Sequence, residues 1–112
     1  MGVTQVVRGR DLLSSAPRQL YLYRLLGFPE PAFAHAPLLL APDGRRLSKR
    51  DRDVSLEALE EKGLTGPEIV GRLAFLAGLL DRPEAAQPQD LLPVFAWDKV
   101  PWEDVCLPPG LF

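Results

Sequence analysis

Pro37-Leu38-Leu39-Leu40-Ala41-Pro42-Asp43-Gly44-Arg45-Arg46-Leu47-Ser48-Lys49-Arg50 joins two unlike segments, an apolar run ending at Leu40 and a cationic one beginning at Arg45. Between them Ala41-Pro42-Asp43-Gly44 spells a tight turn, because Asp-Gly after a strand-like run favours the backbone angles of a chain reversal. The turn presents residues 46–50 as a short basic loop at a sheet edge. One small hydroxyl, Ser48, stands there among Arg46, Lys49 and Arg50. Such a loop can neutralise and hydrogen-bond a polyphosphate without a glycine cradle, since long cationic side chains reach out to it. The plain alternative is a solvated basic turn.

Upstream of this loop, Thr4-Gln5-Val6-Val7 is β-prone and stops at Arg8-Gly9. Ser14 or Ser15 can cap a helix over residues 16–26 with Pro17 in its first turn. Leu20, Tyr23 and Leu26 fall on one side of it, Leu22 and Leu25 beside them, and Gly27 stops it. Residues 28–34 read as a proline-bounded loop and 35–40 as the next strand. Downstream, Ser55 caps a helix over 56–62 ended by Gly63. Thr65 caps another over 67–80, with Ile69, Val70, Leu73, Leu76, Ala77 and Leu80 inward. From Pro83 onward the prolines predict an extended tail with one short helical turn, packed on the helical region through Trp97 and Trp102. The fold class is α/β, divided into residues 1–54, a small helical region over 55–82 and a Pro-rich tail over 83–112. Two strands and one crossover helix are half of a sheet, because a parallel unit left alone has unpaired edges.

The 112 residues, 46% apolar and 25% charged, suffice for one small domain or part of a larger one. A net charge of −2 gives no global attraction to nucleic acid, so phosphate recognition has to be local. A single cysteine, Cys106, excludes an intrachain disulfide and reads as an ordinary thiol in a reducing compartment. One histidine and one cysteine cannot make a zinc site unaided, and no metal site is expected. No apolar run approaches the ~20 residues of a membrane span. The reading is cytoplasmic, with no membrane partner.

The basic loop resembles the KMSKS signature of class I aminoacyl-tRNA synthetases, in the KLSKR form of the glutamyl branch. A second segment agrees: Gly2-Val3-Thr4-Gln5-Val6-Val7-Arg8-Gly9-Arg10-Asp11-Leu12-Leu13-Ser14-Ser15-Ala16-Pro17-Arg18-Gln19 resembles that branch's GVTHVVRGxDLLxSTPRQ stretch. An aromatic-rich helix, the run His35-Ala36-Pro37-Leu38 and the loop then follow in the family's order. The resemblance is close over residues 2 to about 52. It implies the second half of a Rossmann-type catalytic domain followed by a small helical region. The HIGH-type ATP motif, most of the amino-acid pocket and the zinc ligands of the glutamyl-queuosine branch belong to the first half. Met1 accordingly reads as an internal methionine of a longer frame, and the chain as a carboxy-terminal fragment inactive alone.

The resemblance also assigns roles. Lys49 would be catalytic, holding the ATP phosphates and stabilising charge on the in-line transition state, with Arg46, Leu47, Ser48 and Arg50 completing the ATP loop around ATP and its Mg. Arg8 would bind the carboxylate of glutamate through its planar fork; the structural alternative is an ion pair with Asp11. Asp11 and Arg18 are assigned to pinning the turn and helix start, and Tyr21 and Tyr23 to the core. The resemblance places His35 near the nucleotide pocket, whereas residue chemistry favours a core histidine bonded to backbone. Glutamate, ATP and tRNA are the implied partners, together with the amino-terminal half. The short segment after the loop and Arg10, at a position usually acidic in full glutamyl-tRNA synthetases, favour the glutamyl-queuosine tRNA(Asp) branch. A fragment charging tRNA(Glu) and a non-catalytic tRNA- or protein-binding module are the alternatives.

Overall fold

Val6 and Val7, β-branched and therefore stiff in extended backbone, sit at the centre of β1 (Gln5–Gly9). In the computed structural model, which describes residues 1–48 and 54–112, β1 pairs in parallel with β2 (Ala32–Ala36). The register sets Val6 opposite Phe33 and Arg8 opposite His35. A parallel pair needs a crossover. Here it is a 3₁₀ turn, Arg10–Ser15, leading directly into α1 (Ala16–Leu26). Ser15 precedes that helix but makes no side-chain cap, contrary to expectation. Entering from the 3₁₀ turn, its backbone is already helical, at φ −86° and ψ −16°, whereas a capping side chain needs an extended residue. At the other end the Phe28 N–H donates to the Tyr23 carbonyl at 3.0 Å and Arg24 pairs with Glu30.

The strand expected over 35–40 is two strands. β2 begins earlier, at Ala32, and ends at Ala36, before Pro37, which has no N–H for a ladder and restrains its predecessor. Leu39 and Leu40 form β3 (Leu39–Leu40), which pairs in parallel with β4 (Val105–Cys106) in a separate sheet. The chain divides accordingly into two compact units, Met1–Leu38 and Leu39–Phe112.

In the first unit Ala16 is buried, but Leu22, Leu25 and Leu26 are exposed, and Tyr21, expected in the core, is 61% exposed. Val7 on β1 is 66% exposed. The second unit has a firmer interior built from Ala41, Leu59, Ile69, Ala74, Leu76 and Leu107. Ser55 caps α2 (Leu56–Glu61) by accepting from the Ala58 N–H at 3.2 Å. Thr65 and Glu68 form a reciprocal capping box at the start of α3 (Gly66–Leu76).

α3 stops at Leu76 instead of 80; Ile69 and Leu76 are buried as expected, and Gly71 and Ala74 join them while Leu73 does not. The backbone at Glu84 crosses directly over Gly71: a Cβ there would lie 1.7 Å from the Glu84 carbonyl oxygen. The Ala86 N–H donates to the Pro67 carbonyl at 3.0 Å beside it. Leu73 lies roughly 200° around the helix from Gly71 at 3.6 residues per turn, and is 41% exposed instead of inward. Beyond this crossing come α4 (Pro88–Leu91), two 3₁₀ turns (Leu92–Val94 and Trp97–Lys99) and β4, more structure than a single helical turn. Trp97 packs edge-on against Phe95, and Trp102, expected to anchor the tail, is 88% exposed.

The crossing at Gly71 makes a discriminating test. Gly71→Ala should destabilise the second unit by about 1–3 kcal/mol or more, because backbone and not a flexible side chain occupies the space of the new methyl. Gly66→Ala, where a Cβ meets nothing within 4 Å, should be neutral or slightly stabilising. Urea unfolding midpoints of the two variants check this; equal midpoints would mean that the Glu84 backbone is not seated on α3.

Candidate functional site

Arg8 ends the useful length of β1, on the face it shares with Val6. The register brings it level with His35, 27 residues away in sequence, and the Arg8 Nε–H donates to His35 Nε2 at 3.0 Å. From α1, Gln19 Oε1 accepts from Nη1 at 2.6 Å, and from the 3₁₀ turn the Leu12 carbonyl accepts from Nη2 at 3.2 Å. The Phe33 ring, stacked with His35, lies with its centroid 4.8 Å from the guanidinium carbon. These four partners hold the guanidinium firmly and none of them is negatively charged. Among the described residues Arg8 makes no ion pair, so the Asp11 pairing is not formed.

A guanidinium carries five N–H donors. Three are engaged here, which leaves one on each Nη. Such a fork can receive a carboxylate in a two-point contact, with its charge still to be matched. His35, read from sequence as a backbone-bonded core residue, instead bonds a side chain. Gln19 and Phe33 carry no local sequence signal for their contacts with Arg8. A parallel pairing with β2 starting at Ala32 would have revealed Phe33 and His35 as neighbours of Arg8. The Gln19 contact depends on how the crossover folds back.

The second unit carries the basic loop. The Ala41 N–H donates to the Arg45 carbonyl and the Gly44 N–H to the Ala41 carbonyl, both at 2.8 Å, and Leu40 bridges Arg46 in antiparallel fashion. Gly44 has φ +86°, which an L side chain adopts only with strain, so the Asp-Gly reading identifies this reversal. Asp43 closes it: its carboxylate accepts from the Arg45 N–H at 3.0 Å and from the Arg45 Nε at 2.7 Å. The backbone N–H first, and the guanidinium after it, hold the Asp43 carboxyl below the usual carboxylate range. Ala41 is buried, Leu47 half-buried, and Arg46 and Ser48 are exposed. Lys49 and Arg50 lie outside the described residues. Among the described residues no group of three His, Cys, Asp or Glu could hold a metal ion, and no helix is long and apolar enough to cross a membrane.

Comparison with known proteins gives a consistent result. The family described as tRNA synthetases class I (E and Q), catalytic domain, matches residues 1–81. The chain is 53% identical over 108 residues to the Glutamyl-Q tRNA(Asp) synthetase of Symbiobacterium thermophilum, covering 96% of this chain and 33% of that protein. It is 39% identical over 100 residues to Glutamate–tRNA ligase 2 of Halorhodospira halophila, covering 89% of this chain and 21% of that one. A crystal structure of a glutamate tRNA ligase from Elizabethkingia meningosepticum in complex with its amino acid matches with a TM-score of 0.76 at 25% identity. That match covers 96% of this chain and 25% of that one. The chain thus spans about a third of the length of the Glutamyl-Q tRNA(Asp) synthetases it matches.

The Asp43 contacts predict a pH effect whose sign follows from the depressed carboxyl. The order that this carboxylate gives the turn is present above the ordinary carboxylate range and is lost as pH falls through its lowered folded value. In an NMR titration the Arg45 amide should move with a midpoint below that of a free aspartate, and Asp43→Asn should remove the transition. A midpoint at the free-aspartate value would show that the turn is not held by this side chain.

Proposed function

Because the chain belongs to the catalytic-domain family of class I tRNA synthetases (E and Q), matched over residues 1–81, we propose that its residues serve the activation of glutamate by ATP and its transfer to the queuosine base of tRNA(Asp). The observation that carries this reading is the 53% identity to a Glutamyl-Q tRNA(Asp) synthetase across 96% of the chain; three other members of that group stand at 41–47% and three glutamate–tRNA ligases at 39–43%. On this reading β1, α1 and β2 form part of the second half of a Rossmann-type domain. Val7, Leu22, Leu25 and Leu26, exposed here, lie where a parallel unit normally receives further elements. Activity then requires sequence beyond these 112 residues.

The proposed chemistry is in-line attack of the glutamate α-carboxylate on the α-phosphorus of ATP, with pyrophosphate leaving and a glutamyl adenylate formed. Arg8, held by neutral partners, supplies the charge and the fork that select the side-chain carboxylate over an amide. Lys49 holds the departing phosphates and the charge that develops on them, and Arg46, Ser48 and Arg50 extend that cationic loop. Leu47, half-buried, anchors the loop to its unit. Mg enters with ATP. A hydroxyl of the queuosine base, or of the tRNA terminus in the glutamate–tRNA ligase alternative, then attacks the adenylate carbonyl, forming the ester and expelling AMP.

Glutamate-dependent ATP–pyrophosphate exchange tests this. The chain alone should show none, and robust exchange by it would overturn the need for further sequence. Supplied with the remaining part of the Symbiobacterium relative, the chain should be active. In that enzyme Lys49→Ala should lower kcat far more than it raises KM for glutamate; full turnover would reduce the loop to a basic turn. Arg8→Ala should raise KM for glutamate by roughly ten- to 150-fold, corresponding to about 1.5–3 kcal/mol for a charged hydrogen bond, and leave KM for ATP nearly unchanged. Equal weakening of both substrates would make Arg8 a structural residue. Acceptor assays with queuosine-bearing tRNA(Asp) and with tRNA(Glu) separate the two branches.

A further inference from the structure

The direction of the Arg8–His35 hydrogen bond is fixed by chemistry. A guanidinium only donates, so His35 Nε2, 3.0 Å from Arg8 Nε, is the acceptor and carries no proton. The imidazole is therefore neutral, with its proton on Nδ1. Gln19 and the Leu12 carbonyl hold one hydrogen on each Nη, and Phe33 lies against the face of the guanidinium while stacking on His35. The Nε side of the fork is thus closed by His35, and the hydrogens that remain are on the two Nη atoms.

From this arrangement we propose that His35 is a positioning residue of the glutamate site: its neutral imidazole closes the Nε edge of Arg8 and directs the Nη edge to the substrate carboxylate. The proposal rests on the reading of Arg8 as the carboxylate-binding residue. It carries a pH dependence. A proton on Nε2 would set two donors and two positive charges against each other, and the guanidinium would leave its seat. The charged residues on the elements packed against β2 are Arg8 on β1 and Arg10 and Asp11 in the 3₁₀ turn. The Asp11 carboxylate reaches toward Gly9, where a Cβ would lie 2.7 Å from its Oδ1. Gln19, the contact from α1, is neutral. Protonation at His35 therefore acts on Arg8 directly, across the register pair.

The chain contains one histidine, so its imidazole resonances need no assignment by mutation. Nitrogen-15 NMR of the full chain should show the Nδ1–H tautomer, a protected Arg8 Nε–H, and a scalar coupling across the N–H···N bond that vanishes as the imidazole protonates. With this labelled chain completed by the remaining part of the Symbiobacterium relative, glutamate should bind roughly tenfold more weakly once His35 is protonated, about the loss of one hydrogen bond to a charged group. His35→Gln, whose carbonyl oxygen can accept from Nε but does not titrate, should keep glutamate binding and flatten its pH profile. His35→Phe should weaken binding at every pH. An Nε2–H tautomer, or a Gln variant that retains the wild-type pH profile, would overturn the positioning role. Two failures are distinguishable. If Arg8→Ala abolishes glutamate binding while both His35 variants bind normally, the inference fails alone. If Arg8→Ala also binds normally, the carboxylate reading of Arg8 fails and the positioning role falls with it.

Discussion

In a parallel pair the register decides which side chains stand level on each face, and here it sets Arg8 beside His35 with Val6 and Phe33 two residues back. The first unit's chemistry depends on that alignment. A slip of one residue would turn Arg8 to the opposite face and separate it from the imidazole, the aromatic ring and the Gln19 amide together. The five-residue ladder, the 3₁₀ turn whose Leu12 carbonyl accepts from Nη2, and the start of α1 that carries Gln19 all converge on one guanidinium. These neutral acceptors fix the geometry of the guanidinium and leave its positive charge unmatched among the described residues.

The second unit is organised by close backbone approach. Gly71 lets the chain at Glu84 lie on α3, and β3 closes on β4 with the Leu107 N–H donating to the Leu40 carbonyl at 2.8 Å. Leu107 is buried just after that pairing. The far end of the chain thereby supports the strand from which the basic loop departs. Twelve prolines contribute stiffness in the connections. They do not prevent structure, since four short elements form after Pro83.

The two candidate functions differ in how they use positive charge. Arg8 is a planar donor seated among fixed partners, the geometry that the proposed reading uses to choose one carboxylate. The second unit places the exposed Arg46 after a reversal held by Asp43 and Gly44, a setting that the proposed reading assigns to a polyphosphate. On the proposed reading, fixed selection and adaptable neutralisation are what forming an adenylate would ask of these two features.

Local chemistry was legible in the sequence wherever a residue type dictates its own conformation. The Asp43-Gly44 reversal, the Ser55 and Thr65 caps and the Gly27 stop follow from side-chain oxygens and glycine backbones acting within a few residues. The paired motifs around Arg8 and residues 46–50 likewise identified the family without coordinates. Tertiary structure alone decided how the apolar segment around Pro37 divides into strands of two sheets, that Gly71 and Ala74 are packed on α3 while Leu73 is not, and that Trp102 remains exposed. It alone joined His35 and Gln19 to Arg8. Those outcomes depend on contacts between distant segments, such as Glu84 over Gly71 or β4 against β3, and periodicity within one segment contains no information about what will lie against it.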